Sequence, residues 1–435
     1  MTKAFKIITL GCKVNQYESA YLKEELTHAG WRQAADGEMP DVAIINTCIV
    51  TQRAAHQSRQ AIRKAIRENP NGMVAAIGCY AQVYADELSS IQGIRLIADN
   101  RAKGKLIKFI LSMADSGQRS VVLKDFELGM PFEFLPIGRY PGRTRAYLKI
   151  QDGCESFCSY CIVAFARGPY RSLAPEKVLS IIESLAGEGY REIVLTGIHL
   201  GKYGVDLDGN MNLNNLLRAI GREGFPVRIR LSSIEPNEID QDLIEMVASN
   251  KWLCRHFHIP LQSGDNRVLK RMNRHYSGYE FAGLIESIYE RIPLAAIGVD
   301  VMSGFPGEDP VAHQNTCALI RDLPVSYLHV FPFSPRKGTA AFDFDGRNDP
   351  EVIKKRAAEL RAIGQDKRTE FYSSCLGKEF PVLAEGWYSE KKEMMKGTSD
   401  NYLAVLFSSS NDLKGRIVPV CMERIENNKV FGSPV

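Results

Sequence analysis

Six of the ten cysteines of this chain form two sets of three, and that number constrains what the chain can fold around. The close triad comprises Cys154, Cys158 and Cys161. The dispersed triad comprises Cys12, Cys48 and Cys79. A closed metal or cluster site takes four protein ligands, whereas a reactive one keeps a coordination position open. Two triads of thiolates therefore predict two metal sites with one open position each.

The composition is typical of a globular protein from a reducing compartment. With 435 residues, of which 45% are hydrophobic and 24% charged, the chain is long enough for two or three domains. It has no run of ~20 apolar residues that would span a bilayer and no signal-peptide organisation at its N-terminus. We therefore expect a cytoplasmic protein with no membrane partner, in which cysteines bind metal or act in catalysis.

The N-terminal part of the chain alternates strand-like and helical patterns. The segments lie at 5–10, 16–29, 41–46, 54–68 and 73–77. This alternation is typical of βαβ units in a parallel sheet, whose strands all end at the edge where ligands bind. Each strand runs into a cysteine of the dispersed triad, so we expect the three to converge. The alternative is three inert core cysteines, because cysteine is commonly buried.

The central part of the chain repeats strand and helix more often. Its strand-like segments lie at 146–150, 192–196, 227–231, 257–261, 297–302 and 327–331. Helical patterns at 175–187 and 279–291 lie between them. Six βα units in roughly 190 residues predict a partial (β/α)6 barrel, smaller than the eight-fold barrel of ~250 residues. The close triad follows the first strand and so lies at the carboxyl rim, where such barrels carry their active sites.

These patterns predict an α/β fold with three domains. Residues 1–114 form a parallel-sheet α/β domain, followed by a linker at 115–145. Residues 146–377 form the partial barrel and a connecting helix. Residues 378–435 carry short β-type runs between glycine turn points and are expected to form a small β-barrel.

The spacing within the close triad favours an iron–sulfur cluster. Ferredoxin-type clusters use similar spacing with a fourth cysteine, but the next one here is the remote Cys254. A zinc site would need the distant His199. We favour a four-iron cluster with one iron open to a substrate or cofactor. The rings of Phe157 and Tyr160 are expected to shield the cluster or stack on a purine, with core packing as the alternative.

Beyond this spacing, much of the chain resembles the radical S-adenosylmethionine (SAM) methylthiotransferases. The similar segments are 9–16, 153–171, 196–201, 231–236, 260–264 and 269–276. The first and third are similar to the MtaB type, which acts on N6-threonylcarbamoyladenosine beside the tRNA anticodon. Sister types act on isopentenyladenosine in tRNA or on a ribosomal protein. The chain departs from the common family pattern at Ala164 and Leu173, where proline and arginine are frequent, and neither position carries a cluster ligand.

The resemblance implies a different task for each triad. The close triad would hold a 4Fe–4S cluster whose open iron takes the amino and carboxylate groups of SAM, the source of a deoxyadenosyl radical. The dispersed triad would hold a second 4Fe–4S cluster, whose open iron carries the sulfur that is methylated and inserted at C2 of adenine 37. The cofactors are thus two clusters and SAM. No catalytic residue beyond the cluster ligands is predicted.

The resemblance also implies cofactor contacts and partners. Tyr160, Thr196, Gly197, Gln262 and Ser263 match segments near the bound SAM. The expected partners are a tRNA anticodon stem-loop, an electron donor such as flavodoxin or ferredoxin, and a sulfur donor. A competing interpretation is a non-catalytic RNA-binding protein with structural metal sites.

Two groups of basic residues are predicted to bind RNA. Arg267, Lys270, Arg271 and Arg274 recur at helical spacing and suggest a cationic stripe without acidic partners that faces a phosphate backbone. The alternative is a solvated helix face. The last unit resembles the TRAM β-barrel of RNA-modifying enzymes. It is expected to hold tRNA through Lys391, Lys392, Lys396 and Tyr402.

Overall fold

The dispersed triad belongs to an N-terminal parallel sheet. A computed structural model describes residues 2–113, 119–138, 140, 142–388 and 393–435. The strands are β1 Ala4–Thr9, β2 Arg32–Gln33, β3 Val42–Thr47, β4 Met73–Gly78, β5 Leu96–Ala98 and β6 Ser120–Val122. They form one parallel sheet in the order β2-β1-β3-β4-β5-β6. Every residue of β3 and β4 is buried, as expected for central parallel strands covered on both faces.

Helices cover both faces of this sheet. They are α1 Lys13–His28, α2 Gln52–Glu68, α3 Cys79–Val83, α4 Ala85–Ser89 and α5 Leu106–Met113, with a 3-10 turn at Lys103–Lys105. The three predicted strands are confirmed, while β2, β5 and β6 were not predicted because each has only two or three residues. Strand β6 lies within the predicted linker 115–145 but pairs with β5, so the N-terminal sheet extends beyond residue 114.

A split barrel of six parallel strands follows. Its strands are β7 Arg145–Lys149, β10 Glu192–Thr196, β11 Arg228–Leu231, β12 His256–Gln262, β13 Ala296–Ser303 and β14 Tyr327–Pro332. They form two sheets, β11-β10-β7 and β12-β13-β14, which the backbone bridge between Ile229 and Leu253 links. A small antiparallel pair, β8 Gln151–Asp152 and β9 Arg171–Ser172, frames the loop of the close triad. The predicted partial (β/α)6 barrel is confirmed.

Helices follow the strands of this barrel. They are α6 Val163–Arg167, α7 Pro175–Gly187, α8 Leu213–Glu223, α9 Gln241–Ser249, α10 Asn266–Arg271, α11 Gly278–Arg291 and α12 Pro310–Asp322. Further 3-10 turns lie at Leu200–Lys202, Pro236–Glu238 and Ala340–Phe342. In the described part of the chain, no helix is long and apolar enough to cross a membrane.

The chain ends in a closed five-stranded barrel. The long helix α13 Pro350–Ser374 leads into β15 Glu379–Trp387, β16 Met394–Ser399, β17 Ala404–Ser408, β18 Ile417–Glu426 and β19 Lys429–Pro434. The strands close in the order β15-β16-β17-β19-β18 around a core that includes Phe380, Phe407 and Met422. The predicted C-terminal β-barrel is therefore confirmed.

Two buried arginines bind this small barrel to the end of the large barrel at which the strands begin. Arg228 and Arg230 both bond to the Glu192 carboxylate through their Nε atoms, at 2.7 and 2.8 Å. Their remaining guanidinium nitrogens donate to four carbonyls of the small barrel, those of Pro381, Thr398, Ser399 and Asp400. Burial acts to raise the pKa of Glu192, but the two arginines outweigh it and lower the pKa to about 2. The two barrels are therefore joined by one buried hydrogen-bonded network.

Tyr402 of the small barrel packs against the same end of the large barrel. Its ring stacks on His256 with centroids 4.3 Å apart, and the Arg230 guanidinium lies 5.2 Å from its centroid. His256 in turn bonds to the Tyr327 hydroxyl at 2.8 Å. Tyr402, expected to contact RNA, stacks on His256 and keeps 37% of its surface exposed.

Replacing Glu192 by Gln should destabilise the protein, because two buried guanidinium groups would lose their carboxylate. Removing one partner of a buried ion pair costs about 3–5 kcal/mol. The matched control is Arg218→Gln, which breaks the exposed pair with Asp242 and should cost less than about 1 kcal/mol. Equal unfolding midpoints for the two variants in differential scanning fluorimetry would contradict the prediction.

Acid should remove the same stabilisation in the parent protein. Because the folded pKa of Glu192 is about 2 and its ordinary value is 4.5, its contribution is complete above pH 4.5 and is lost as the pH falls toward 2. The parent should therefore lose more of its unfolding midpoint than Glu192→Gln between about pH 5 and pH 3. Parallel pH profiles of the two proteins would refute this assignment.

Candidate metal centre

The dispersed triad assembles at the carboxyl edge of the N-terminal sheet. Cys12 precedes α1 after β1, Cys48 follows β3, and Cys79 begins α3 directly after β4. Gly11 has a φ of +95°, and a Cβ at this position would lie 2.8 Å from the Cys48 sulfur. Glycine therefore permits the close approach of two cysteine segments that are far apart in sequence.

Burial governs the thiols of this triad. It raises the pKa of Cys48 to about 12, and the neighbouring Cys79 adds to the shift. It also raises the pKa of Cys12, against the lowering effect of Arg167. Such thiols stay protonated until a metal or another positive charge stabilises the thiolate.

Arg167, at the end of the short helix that follows the close triad, reaches into the dispersed triad. Its Nε lies 3.3 Å from the Cys79 sulfur, and its other nitrogens bond to Glu18 at 2.5 Å and to the Asn15 side chain at 2.7 Å. The side chain is 1% exposed. Asn100 adds a second link, since its amide donates to the Ala166 carbonyl at 2.7 Å. One guanidinium therefore couples the two triads.

Arg167 belongs to a buried cluster with surplus positive charge. Its cations and carboxylates are Lys103, Lys149, Arg167, Arg171, Glu18 and Asp152. Four basic side chains thus face two carboxylates, and burial lowers the pKa of one of the four, Lys103. Burial acts to raise the pKa of Glu18, but Arg167, Lys103 and Lys149 lower it to about 2. The surplus offers compensation for deprotonated sulfur ligands nearby.

The close triad sits on a tight loop above β7. The Cys154 amide donates to Gly168 O at 2.9 Å, and the Cys161 amide donates to Cys158 O at 2.9 Å. Gly153 has a φ of +83°, and a Cβ there would lie 1.7 Å from Pro169 O. A side chain at position 153 would therefore displace the loop that carries the triad.

His199 is the neighbour of Cys154 that sequence reasoning set aside as too distant. Its Nδ1 lies 3.5 Å from the Cys154 sulfur and 3.2 Å from the Ser156 hydroxyl, while Nε2 lies 2.8 Å from Glu238. Burial acts to lower the pKa of His199, but Cys154 and Glu238 raise it to about 9. In the same way burial acts to raise the pKa of Cys154, but His199 and the Ser156 amide lower it. An imidazolium thus favours the thiolate of Cys154.

Arg274 has the corresponding position beside Cys158. Its NH1 lies 3.5 Å from the Cys158 sulfur and 3.0 Å from Glu235. Burial raises the pKa of the Cys158 thiol, and Arg274 opposes that rise. The guanidinium is 5% exposed. The inference of an exposed cationic stripe through Arg274 is therefore wrong, because α10 ends at Arg271 and the chain then turns Arg274 inward.

The other members of that stripe also differ from the prediction. Arg267 pairs with Asp309 at 3.0 Å, and Arg271 pairs with Asp345. Lys270 is exposed. The premise of a stripe without acidic partners is thus corrected, since the acidic partners come from remote loops. In the small barrel, Lys396 is exposed beside Arg145 and Glu385, whereas Lys391 and Lys392 lie outside the described residues.

Two other groups of possible ligands lie outside the cysteine triads. Among the described residues, His258–Asp300–His329 and His313–Cys317–Glu359 have ligand atoms that all lie within 4.8 Å of one another.

The predicted SAM contacts occupy three parts of the rim. Thr196 ends β10 and is buried, and a Cβ at Gly197 would lie 2.8 Å from the Gln151 amide oxygen. Gln262 ends β12 with a φ of +66°. Ser263 is 1% exposed, and its hydroxyl lies 3.4 Å from that of Thr316. These side chains surround the carboxyl end of the barrel.

The aromatic residues near the close triad divide into a partly buried one and an exposed pair. Tyr160 packs edge-on against Phe305 with centroids 6.4 Å apart. Phe157 is 56% exposed and Phe165 50% exposed, and their rings meet edge-on at 6.1 Å. The exposed pair, of which sequence reasoning noted only Phe157, leaves apolar ring faces next to the close triad.

Comparisons with known proteins identify the family of this chain. Residues 4–98 match the model of an uncharacterized protein family, UPF0004, and residues 148–320 match the radical SAM superfamily. A Bacillus subtilis (strain 168) relative, "Threonylcarbamoyladenosine tRNA methylthiotransferase MtaB", is 38% identical over 95% of this chain and 92% of its own. A relative of the same name from Aquifex aeolicus (strain VF5) is 37% identical over 86% and 91%. The Pelotomaculum thermopropionicum (strain DSM 13744 / JCM 10971 / SI) "tRNA-2-methylthio-N(6)-dimethylallyladenosine synthase" is 32% identical over 96% and 94%.

Among solved structures, the radical SAM methyltransferase TsrM from Kitasatospora setae is similar in fold. The form with tryptophan and a SAM analogue gives a TM-score of 0.55 at 15% identity, covering 76% of this chain and 73% of that one. Radical SAM enzymes use SAM with a 4Fe–4S cluster, so the open position predicted for the close triad has a natural occupant. The family match and the relatives together show that this chain belongs to the radical SAM methylthiotransferases, enzymes that transfer a methylthio group to tRNA.

Proposed function

We propose that this enzyme adds a methylthio group to C2 of N6-threonylcarbamoyladenosine at tRNA position 37, using SAM and two 4Fe–4S clusters. The observation that carries the proposal is the pair of three-thiolate sites joined by Arg167. A helix of five residues rises about 7 Å, so the sites on either side of α6 are near neighbours. That proximity suits transfer of sulfur to a base held between them.

The close triad and its neighbours would hold the radical-generating cofactor. Cys154, Cys158 and Cys161 would bind one cluster and leave an iron open for the amino and carboxylate groups of SAM. When bound, this cluster supplies the electron that cleaves SAM to a deoxyadenosyl radical. His199 and Arg274 place positive charge beside two of the thiolates. Tyr160, Thr196, Gly197, Gln262 and Ser263 would border SAM at the rim.

The dispersed triad would hold the cluster that carries the sulfur. Cys48 and Cys79 are buried, which limits the access of water to a reactive sulfur, and Cys12 lies on the exposed side of the site. The surplus positive charge of the Arg167 cluster favours three thiolates there. A sulfur donor and an electron donor such as flavodoxin or ferredoxin would complete the reaction.

The barrel interior supports the threonylcarbamoyl substrate over the isopentenyl one. One Asp300 oxygen bonds to His258 at 2.7 Å and to His329 at 3.2 Å, and the His329 side chain is 47% exposed. Lys13, beside Cys12, lies close enough to Arg230 for their charges to interact. A polar interior with Lys13 at its edge would accept the carboxylate of a threonylcarbamoyl group, whereas an isopentenyl group would require an apolar wall.

The exposed aromatic pair would receive the target base. Phe157 and Phe165 present ring faces next to the close triad. Bases in a single-stranded loop unstack at low cost, and stacking on an aromatic side chain contributes about 1–3 kcal/mol per base. The anticodon loop would thus present adenosine 37 at the mouth of the barrel.

Substituting one cysteine from each triad should separate the two tasks. Cys12→Ala should retain SAM cleavage and lose sulfur insertion, because the radical-generating site remains intact. Cys158→Ala should lose both. The measurements are deoxyadenosine and methylthio-nucleoside yields by mass spectrometry after anaerobic reconstitution, with Cys254→Ala as the control cysteine outside both triads. Sulfur insertion by Cys12→Ala would refute the role of the dispersed triad.

Iron analysis should give a cluster count for the same proteins. The reconstituted parent should contain about eight irons per chain, and a variant lacking all three cysteines of either triad about four. A parent with about four irons would overturn the two-cluster proposal while leaving the family assignment unaffected.

Deleting the gene should remove one modified nucleoside. Mass spectrometry of total tRNA nucleosides should show loss of 2-methylthio-N6-threonylcarbamoyladenosine and accumulation of its precursor without the methylthio group. The isopentenyl counterpart should be unchanged. Loss of the isopentenyl product instead would assign the enzyme to the alternative tRNA substrate.

A further inference from the structure

Helix α2 presents a basic face that the catalytic site does not use. Its solvent side is exposed at Arg53, His56, Gln60, Arg63, Lys64 and Arg67. The opposite side buries Ala55, Ser58, Ile62 and Ala65 against the sheet. Among the described residues the one ion pair of this face joins Lys64 to Glu68, at 3.6 Å. Arg53, Arg63 and Arg67 therefore present uncompensated positive charge to solvent.

This basic face begins beside the dispersed triad and adjoins a cleft of about 420 Å³. The cleft lies between the first turns of α2, the segment after Cys79, and residues 335–342 that follow the barrel. Its lining includes Arg59, Tyr84, Arg336, Lys337 and Phe342. The volume is in the range of a ligand pocket and accommodates one nucleotide.

Arg336 is the distinctive residue of the cleft. Its side chain is nearly buried, with 5% exposed, and its Nε has no hydrogen-bond partner among the described residues. NH1 donates weakly to the Ile49 carbonyl at 3.4 Å, directly after Cys48. Arg59 and Glu87 also line the cleft. The Glu87 carboxylate accepts a hydrogen bond from the Tyr80 hydroxyl at 2.7 Å and, among the described residues, pairs with neither Arg59 nor Arg336. A buried donor without an acceptor is costly, so an anionic ligand would satisfy this group.

Aromatic rings make the cleft better suited to a nucleotide than to a simple anion. Tyr84 and Phe342 line it, and the Tyr84 hydroxyl donates to Lys337 O at 2.5 Å, which ties the two walls together. Guanidinium groups that pair with phosphate, together with ring faces that stack on bases, are the combination that binds single-stranded nucleic acid. An acidic protein surface would meet the basic face but would not fill a recessed aromatic cleft.

We propose that the basic face of α2 and the Arg336 cleft form an RNA-binding surface: the face follows the phosphate backbone of the tRNA, and the cleft takes one unpaired loop nucleotide. The proposal rests on tRNA being the substrate, whichever adenosine derivative is modified. It places RNA on the N-terminal domain, beside Cys48, rather than on the arginines of α10. Arg267 and Arg271 already have carboxylate partners, so a phosphate would have to displace them.

The test measures RNA affinity in the full-length, reconstituted enzyme. The probe is a fluorescein-labelled anticodon stem-loop RNA, titrated by anisotropy at several salt concentrations. The test variants are the triple substitution Arg53→Gln, Arg63→Gln and Arg67→Gln, and the single substitution Arg336→Gln. The matched control, Lys251→Gln, Lys355→Gln and Arg361→Gln, removes equal charge from exposed positions without ion pairs among the described residues. Circular dichroism and iron content verify that each protein is folded and loaded.

The proposal predicts that the α2 and Arg336 variants lose RNA affinity and that the control variant does not. The α2 triple variant should bind the RNA about tenfold or more weakly than the parent. A plot of log Kd against log salt concentration should have a slope smaller by about two than that of the parent, because each phosphate contact contributes about 0.7. Arg336→Gln should weaken binding to the stem-loop but not to a duplex RNA without unpaired nucleotides, while Arg336→Lys should recover part of the affinity. The control triple should stay within about twofold of the parent.

Two outcomes would overturn the proposal. One is an equal loss of affinity in the α2 and control triples, which would mean that only overall charge matters. The other is unchanged RNA affinity in the α2 triple together with weaker binding of labelled flavodoxin, which would assign the surface to an acidic redox partner. Neither outcome depends on nucleoside analysis, so the substrate proposal and the surface proposal fail separately.

Discussion

The guanidinium of Arg167 is the interaction on which the arrangement of the catalytic centre depends. It comes from the segment that carries the close triad, yet its partners are Cys79, Glu18 and Asn15 of the N-terminal domain. A buried cation needs its carboxylate, and Glu18 remains ionised because Arg167, Lys103 and Lys149 surround it. The same contacts thus hold the two domains together and compensate charge at the dispersed triad.

Buried arginines also hold the small C-terminal barrel in place. Sequence resemblance presents it as an RNA-binding appendage, but its carbonyls complete the hydrogen bonding of Arg228 and Arg230, and Tyr402 stacks on His256 of the large barrel. Deleting it would expose a buried Glu192 and two arginines. RNA contacts of this unit are therefore better tested by substituting exposed side chains such as Lys396.

The sequence predicted the architecture well because apolar periodicity and strand-end cysteines are local signals. All six barrel strands and the convergence of Cys12, Cys48 and Cys79 follow from such patterns. The errors arose where distant segments meet. Arg274 was assigned to a helix face because spacing cannot show where α10 ends or that Glu235 turns it inward. His199 was set aside because 45 residues separate it from Cys154. The β5–β6 edge was missed because strands of three residues carry too little pattern.

Asn15 and Glu18 are synthesised long before Arg167, to which both bind. The order of synthesis therefore determines when these contacts can form. The three sulfurs of the dispersed triad are all made by residue 79, but the guanidinium that lies 3.3 Å from Cys79 is made 88 residues later. Until the first barrel segment folds onto it, the emerging N-terminal domain therefore lacks the guanidinium beside Cys79, and Lys103 is the partner of Glu18 that this domain supplies itself. The contact between the two domains at the dispersed triad can consequently form only after the chain has been synthesised at least as far as residue 167.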